Sequence, residues 1–133
     1  MTARFSAVGI VAADMGKSLA FYRRLGLDIP AEADGEPHVE YEVGGGVRIL
    51  WDTVEVARSI DPDYRPSAGG GVGMAFACAD AADVDRVYAD LVGAGHTGDK
   101  EPWDAFWGQR YAVVVDPDGN HVDLFAPLPG AAT

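Results

Sequence analysis

The chain has almost nothing with which to staple itself covalently. Its 133 residues include one cysteine, Cys78, which excludes an intrachain disulfide framework and any cysteine-based zinc ribbon. Packing must therefore hold the fold. Long apolar runs are missing as well: no 18-residue hydrophobic stretch occurs, and the opening MTARFSAVGIVAAD reaches an acid after one arginine and a short apolar segment. Neither a membrane span nor a signal peptide is expected, and the expected location is cytoplasmic. Positive charge is scarce too. Ten basic residues stand against twenty-one acidic ones, a net of -11, and no basic stripe is visible that could neutralise phosphates, so nucleic acid is not an expected partner. The glycine runs at 44–46 and 69–71 have no Lys-Ser or Lys-Thr after them and open no helix, so they read as turns and not as phosphate loops. No Ser-His-Asp order or nucleophile elbow can be argued.

A hydrophobic fraction of 48% is enough for one compact domain with its own core and too little for two ordinary ones. The acids are spread along the chain and not gathered into a tail, which suits a solvated acidic surface open to neutral or cationic ligands.

Phe5 to Ala13 reads as a mostly apolar strand. Asp14 then stands where an N-cap belongs, followed by Met15, Leu19, Tyr22 and Leu25 at helical spacing, with Gly26 as the stop. Leu27 to Ile29 is expected to start a short strand that Pro30 ends. His38 to Val43 alternates at period two, and Val47 to Trp51 forms another strand after the triple glycine. The second half repeats this order, with a strand at Gly73 to Ala79, a cap at Asp80, and Val84, Val87, Tyr88, Leu91 and Val92 on one helical stripe. After a tryptophan-rich stretch read as a loop, Arg110 to Val115 and Asn120 to Phe125 form a hairpin around Asp116-Pro-Asp-Gly119.

Sliding the chain by 66 residues places Asp14 on Asp80, Tyr22 on Tyr88 and Leu25 on Leu91, which indicates an internal duplication. The expected fold is α+β, built from two βαβββ modules at about 1–60 and 72–133. A linker at about 61–71 joins them in a single domain over 1–133. At roughly 60 residues each half would be marginal alone. The modules are expected to share one curved sheet or to exchange partners in a dimer.

Three segments carry a resemblance over nearly the whole chain: VAADMGKSLAFYRRLGL at 11–27, the duplicated strand and helix at 73–95, and WGQRYAVVVDPDGNHVDLF at 107–125. Here the chain resembles the vicinal oxygen chelate superfamily, the glyoxalase, bleomycin-resistance and extradiol-dioxygenase group. The resemblance implies paired βαβββ modules around an open cleft, often completed by a second subunit. It does not choose a function, because members range from metal lyases to binding proteins.

Enzymes of the superfamily hold a divalent metal with one imidazole or carboxylate from each of four strands. The resemblance puts those positions at Ala7, Ile49, Met74 and Asp123, and only the last can ligate. No metal and no other cofactor is expected. The cleft is then expected to be apolar and aromatic, and the likeness is strongest to the metal-free antibiotic-binding members. The expected ligand-binding residues are Trp51, Trp103 and Trp107 for stacking, Met74, Phe76 and Phe106 for apolar packing, and Tyr41, His121 and Asp123 for polar orientation. No residue is expected to be catalytic. The expected partner is a hydrophobic aromatic natural product, and the expected assembly is a homodimer.

Several features keep a second reading. Trp103, Phe106 and Trp107 can cover a ligand or plug an interface. His38, Glu40 and Glu42 share a strand face that is either solvated or a cation-attracting wall. His121 and Asp123, with or without His38, are the one constellation that could rebuild a metal site and with it an enzyme of the lyase, isomerase or dioxygenase kind; a metal-free catalyst acting on its bound ligand is the other enzymatic alternative. Cys78 reads as a small buried apolar residue.

Overall fold

The structure, a computed structural model, describes residues 2–67 and 71–130. It divides into two compact units, Met1–Pro66 and Ser67–Thr133. Glycines 69 and 70 of the second glycine run lie outside the described residues.

In the first unit, β1 (Ala7–Ala12) leads into α1 (Met15–Arg24), a 3-10 turn (Ala31–Gly35), β2 (His38–Gly44), β3 (Val47–Thr53) and α2 (Val54–Ile60). The Asp14 side chain accepts the Lys17 amide at 3.0 Å and so satisfies one of the orphan donors of α1. The sheet order is β1-β3-β2, with β1 parallel and β2 antiparallel to β3. Register partners share a face. Ile10, Trp51 and Val39 are in register and buried, and α1 covers this face with Leu19, Phe21 and Tyr22. The Tyr22 and Trp51 rings meet edge to face with centroids 5.4 Å apart. Gly44, Gly45 and Gly46 all have positive φ, so the turn from β2 to β3 requires the triple glycine.

The second unit runs β4 (Met74–Ala77), α3 (Ala81–Gly93), β5 (Thr97–Ala105), β6 (Gln109–Val115) and β7 (His121–Pro127). Its sheet order is β4-β7-β6-β5, with β4 parallel to β7 and the other pairs antiparallel. Asp80 caps α3 by accepting the Asp83 amide at 2.8 Å. Val84 and Leu91 of α3 are fully buried, as are Ala112, Val114, Val122 and Leu124, and α3 packs against β5, β6 and β7. Tyr88 lies over Gly98 so closely that a Cβ there would overlap its hydroxyl. The hairpin turn is organised by Asp116, 3% exposed, which accepts the amides of Asp118 and Asn120 at 2.9 and 2.8 Å.

The fold class is therefore mixed α+β, with the strands paired inside each unit. Three local expectations need correction. Leu27 to Ile29 forms no strand; the chain turns there, and the Arg23 guanidinium donates to the Ile29 and Pro30 carbonyls at 2.8 and 2.7 Å. Val54–Ile60 is a helix that the sequence did not suggest. Thr97–Ala105 is a strand where a loop was expected. Among the described residues it is an edge strand paired only to β6, with register shifts on either side of Lys100, and an edge tolerates both Pro102 and the charges.

Candidate functional site

The helix-free face of the second sheet carries most of the chemistry. Because β6 and β7 are antiparallel with Tyr111 opposite Phe125, the odd-numbered residues Tyr111 and Val113 of β6 share a face with His121, Asp123 and Phe125 of β7. Trp103 of β5 is in register with Tyr111 and joins them. These side chains lie opposite the Ala112, Val114, Val122 and Leu124 set that α3 covers.

The rings form one contiguous cluster. Tyr111 is at its centre, 5.5 Å from Trp103 and 5.3 Å from Trp107 in edge-to-face contacts, and stacked on Phe125 at 6.4 Å with planes 27° apart. Trp107 also meets Trp103 at 6.2 Å and Phe106 at 5.0 Å. Phe106 and Trp107 sit in the turn between β5 and β6 and remain 96% and 47% exposed, a large amount of aromatic surface to leave in water. The Trp107 indole is held by donating to Gln109 Oε1 at 2.8 Å.

Polar groups lie within this aromatic surface. The Tyr111 hydroxyl donates to Asp123 Oδ2 across the diagonal of the hairpin. Burial, then the bond to Asp123 and its charge, push the phenol up to about 12, so it stays a donor throughout the physiological range. Lys100 places its ammonium 4.7 Å from the Trp103 ring centroid. His121, half-exposed, pairs with Asp99 at 3.5 Å.

The structure thus brings together Trp103, Phe106, Trp107, His121 and Asp123 on or beside one sheet face. Four other expected ligand contacts do not join them. Trp51 is fully buried in the core of the first unit against Tyr22, with no exposed surface to offer a guest. Tyr41 is in register with buried Ile49 on the helix-covered face, its hydroxyl 3.5 Å from the Asp28 amide. Met74 and Phe76 are in register with Val122 and Leu124, so they too share the helix side of their sheet. The cause is parity: moving one residue along a strand reverses the face. Tyr111, absent from the expected ligand contacts, completes the cluster with Phe125. The hairpin alternation on either side of the Asp116–Gly119 turn was the signal that could have found Tyr111.

The same parity tests the superfamily's metal. Ile49 and Met74 face the helices. The helix-free neighbours are Arg48 and Leu50 on β3, and Ala75, in register with Asp123, on β4. Arg48, Leu50 and Ala7 in the first unit and Ala75 in the second carry no donor for a divalent ion, so apart from Asp123 the side chains at and beside the positions the resemblance assigns do not fit one. Among the described residues no group of three or more histidine, cysteine, aspartate or glutamate side chains is arranged to hold a metal.

The corresponding face of the first unit is charged. His38 lies between two acids, Nδ1 2.5 Å from Asp52 and Nε2 2.7 Å from Glu40, while Arg48 pairs with Glu40 at 2.7 Å. The bonds to Glu40 and then Asp52 raise the imidazole above its ordinary 6.5. The two acids occupy both ring nitrogens and so are held on separate sides of the ring. Burial pushes the Cys78 thiol up, which suits an unreactive side chain. No helix among the described residues is long and apolar enough to cross a membrane.

Comparison with known proteins places this architecture. The structure is similar to a glyoxalase/bleomycin resistance protein/dioxygenase family enzyme from Burkholderia phytofirmans PsJN, with TM-score 0.80, 21% identity, and 95% of this chain covering 100% of that one. A superfamily member from Sphaerobacter thermophilus DSM 20745 is 27% identical at TM-score 0.66, with 94% and 98% covered. A protein of unknown function from Agrobacterium tumefaciens str. C58 is also 27% identical, at TM-score 0.72, with 96% and 97% covered. A search among curated proteins finds no match. The family model described as Glyoxalase/Bleomycin resistance protein/Dioxygenase superfamily matches residues 4–124, and the chain belongs to that superfamily, the vicinal oxygen chelate group.

Proposed function

We propose that this protein binds a flat, hydrophobic aromatic natural product of the antibiotic type and protects by sequestering it, with no chemical step required. The carrying observation is the ring cluster of Trp103, Phe106, Trp107, Tyr111 and Phe125 on the helix-free face of the second sheet. Stacking on an aromatic side chain contributes about 1–3 kcal/mol per ring in the nucleobase case. Two such faces with apolar burial reach micromolar affinity, about -8 kcal/mol. The metal-free antibiotic-binding members that the chain resembles sequester compounds of the bleomycin, mitomycin, quinoxaline or enediyne type, and these are the candidate ligands. The proposal includes action in the cytoplasm as a homodimer, for which light scattering should return twice the chain mass.

Titration with polycyclic compounds tests it. Saturable quenching of tryptophan fluorescence is expected, and Trp103→Ala and Trp107→Ala should each weaken binding about tenfold or more. Unchanged affinity in both variants would remove the stacking assignment. An enzyme of the same fold is the competing reading, and recovery of the ligand chemically altered would favour it. Near-stoichiometric Ni, Zn or Fe surviving dialysis would do the same.

A further inference from the structure

We infer that the aromatic face of the second unit selects ligands by charge, and that its guest is a planar aromatic cation, an amine- or amidine-bearing ring system, with Asp123 as the counter-charge. The inference rests on the proposed aromatic binding and adds the chemical class of the guest. Three observations carry it.

First, Asp123 is a half-buried carboxylate set among rings, in a position that a stacked ligand would cover. Among the described residues its one hydrogen-bond donor is the Tyr111 hydroxyl, a neutral group, and no ion pair reaches it. A carboxylate accepts several hydrogen bonds, so capacity is left on Asp123. Covering it with a neutral guest would remove water from that capacity without replacing it, which is costly, whereas an N–H cation replaces the water and adds attraction.

Second, apart from Lys100, the basic side chains of the second unit near the cluster are committed elsewhere. Arg110 of β6 projects to the opposite face, where it makes two bonds to Asp85 at 2.9 and 3.1 Å and one to Asp104 at 2.9 Å. His121, two residues before Asp123 on the same face, is paired with Asp99. Gln109 is neutral and accepts from Trp107. Among the described residues of the second unit, an anionic guest at the cluster would find Lys100 alone.

Third, Lys100 already shows what the rings attract. Its ammonium lies over the Trp103 ring, an interaction driven by the negative face of the indole. A planar cation spreads its charge over the same kind of surface and competes with a single flexible lysine for it. The overall charge of -11 favours the approach of such a guest.

The test uses three probes of one ring size on the intact protein at pH 7.5: 9-aminoacridine as the cation, acridine as the neutral ring, and acridine-9-carboxylate as the anion. Affinity should fall in that order, with the cation about tenfold tighter than the neutral probe. Asp123→Asn should bring cation and neutral probe within about twofold of each other, while Lys100→Gln should strengthen the cation. Equal binding of cation and neutral probe to the wild type would overturn the charge inference and leave aromatic binding standing. Failure of all three to bind would overturn both. A cation preference that persists in a folded Asp123→Asn variant, checked by circular dichroism, would overturn the role of Asp123. The wild-type series decides the charge preference even if that variant does not fold.

Discussion

At Trp51 the indole is wholly buried against Tyr22, so Trp51→Ala should cost about 3–5 kcal/mol in urea unfolding. Among the described residues its Nε1 has no hydrogen-bond partner, so Trp51→Phe leaves no polar group stranded and should cost much less. Trp103→Ala, on the helix-free face, should instead reduce ligand affinity more than it reduces stability. Tyr111→Phe keeps the ring stack and deletes the bond to Asp123, a loss of about 1 kcal/mol in the same unfolding measurement. His38 supplies a pH signature. Its folded-state pKa is raised by Glu40 and Asp52, so its contribution is complete below the ordinary value of 6.5 and is lost as pH rises through the folded value. Thermal melts should show Tm falling as pH is raised across that interval, and His38→Asn should flatten the decline. Because His38 is largely exposed, the effect is small and weakens with salt.

The elements differ in how far the sequence revealed them. Both long helices were legible because a capping aspartate and a 3.6-residue stripe agree, at Asp14 for α1 and Asp80 for α3. Asp80→Ala should cost about 1 kcal/mol, read by chemical denaturation. β6 and β7 were legible from alternation around a Pro-Gly turn. β5 was not: Asp99, Lys100, Glu101 and Pro102 remove any apolar alternation, and the strand exists because β6 offers it an edge. α2 is seven residues long with no buried side chain, so no stripe marks it. The face of a site residue was not legible where it was counted from a motif without the strand register. That count put Trp51, Met74 and Phe76 with the helix-free set, whereas the register turns them to the helix side. Gly98 tests the packing of α3 on β5: Gly98→Ala drives a methyl into Tyr88 and should cost about 1–3 kcal/mol. The double variant with Tyr88→Leu should recover part of that loss in a double-mutant cycle.

Across the whole chain, the two units repeat a plan and diverge in chemistry. Each has a first strand running parallel to its last and an aspartate-capped helix over one sheet face. The opposite face is charged in the first unit, through His38, Glu40, Arg48 and Asp52, and aromatic in the second. The net charge of -11 should act at a distance on ligand approach. Raising NaCl from about 20 to about 500 mM should slow association of 9-aminoacridine several-fold in stopped-flow fluorescence and leave neutral acridine unaffected. The aromatic face itself is tested most directly by the three indole N–H resonances of Trp51, Trp103 and Trp107 in a nitrogen-15 labelled sample. On titration with 9-aminoacridine, the Trp103 and Trp107 signals should move together to saturation while that of Trp51 stays in place. Saturable binding with both of those signals unmoved would contradict the account.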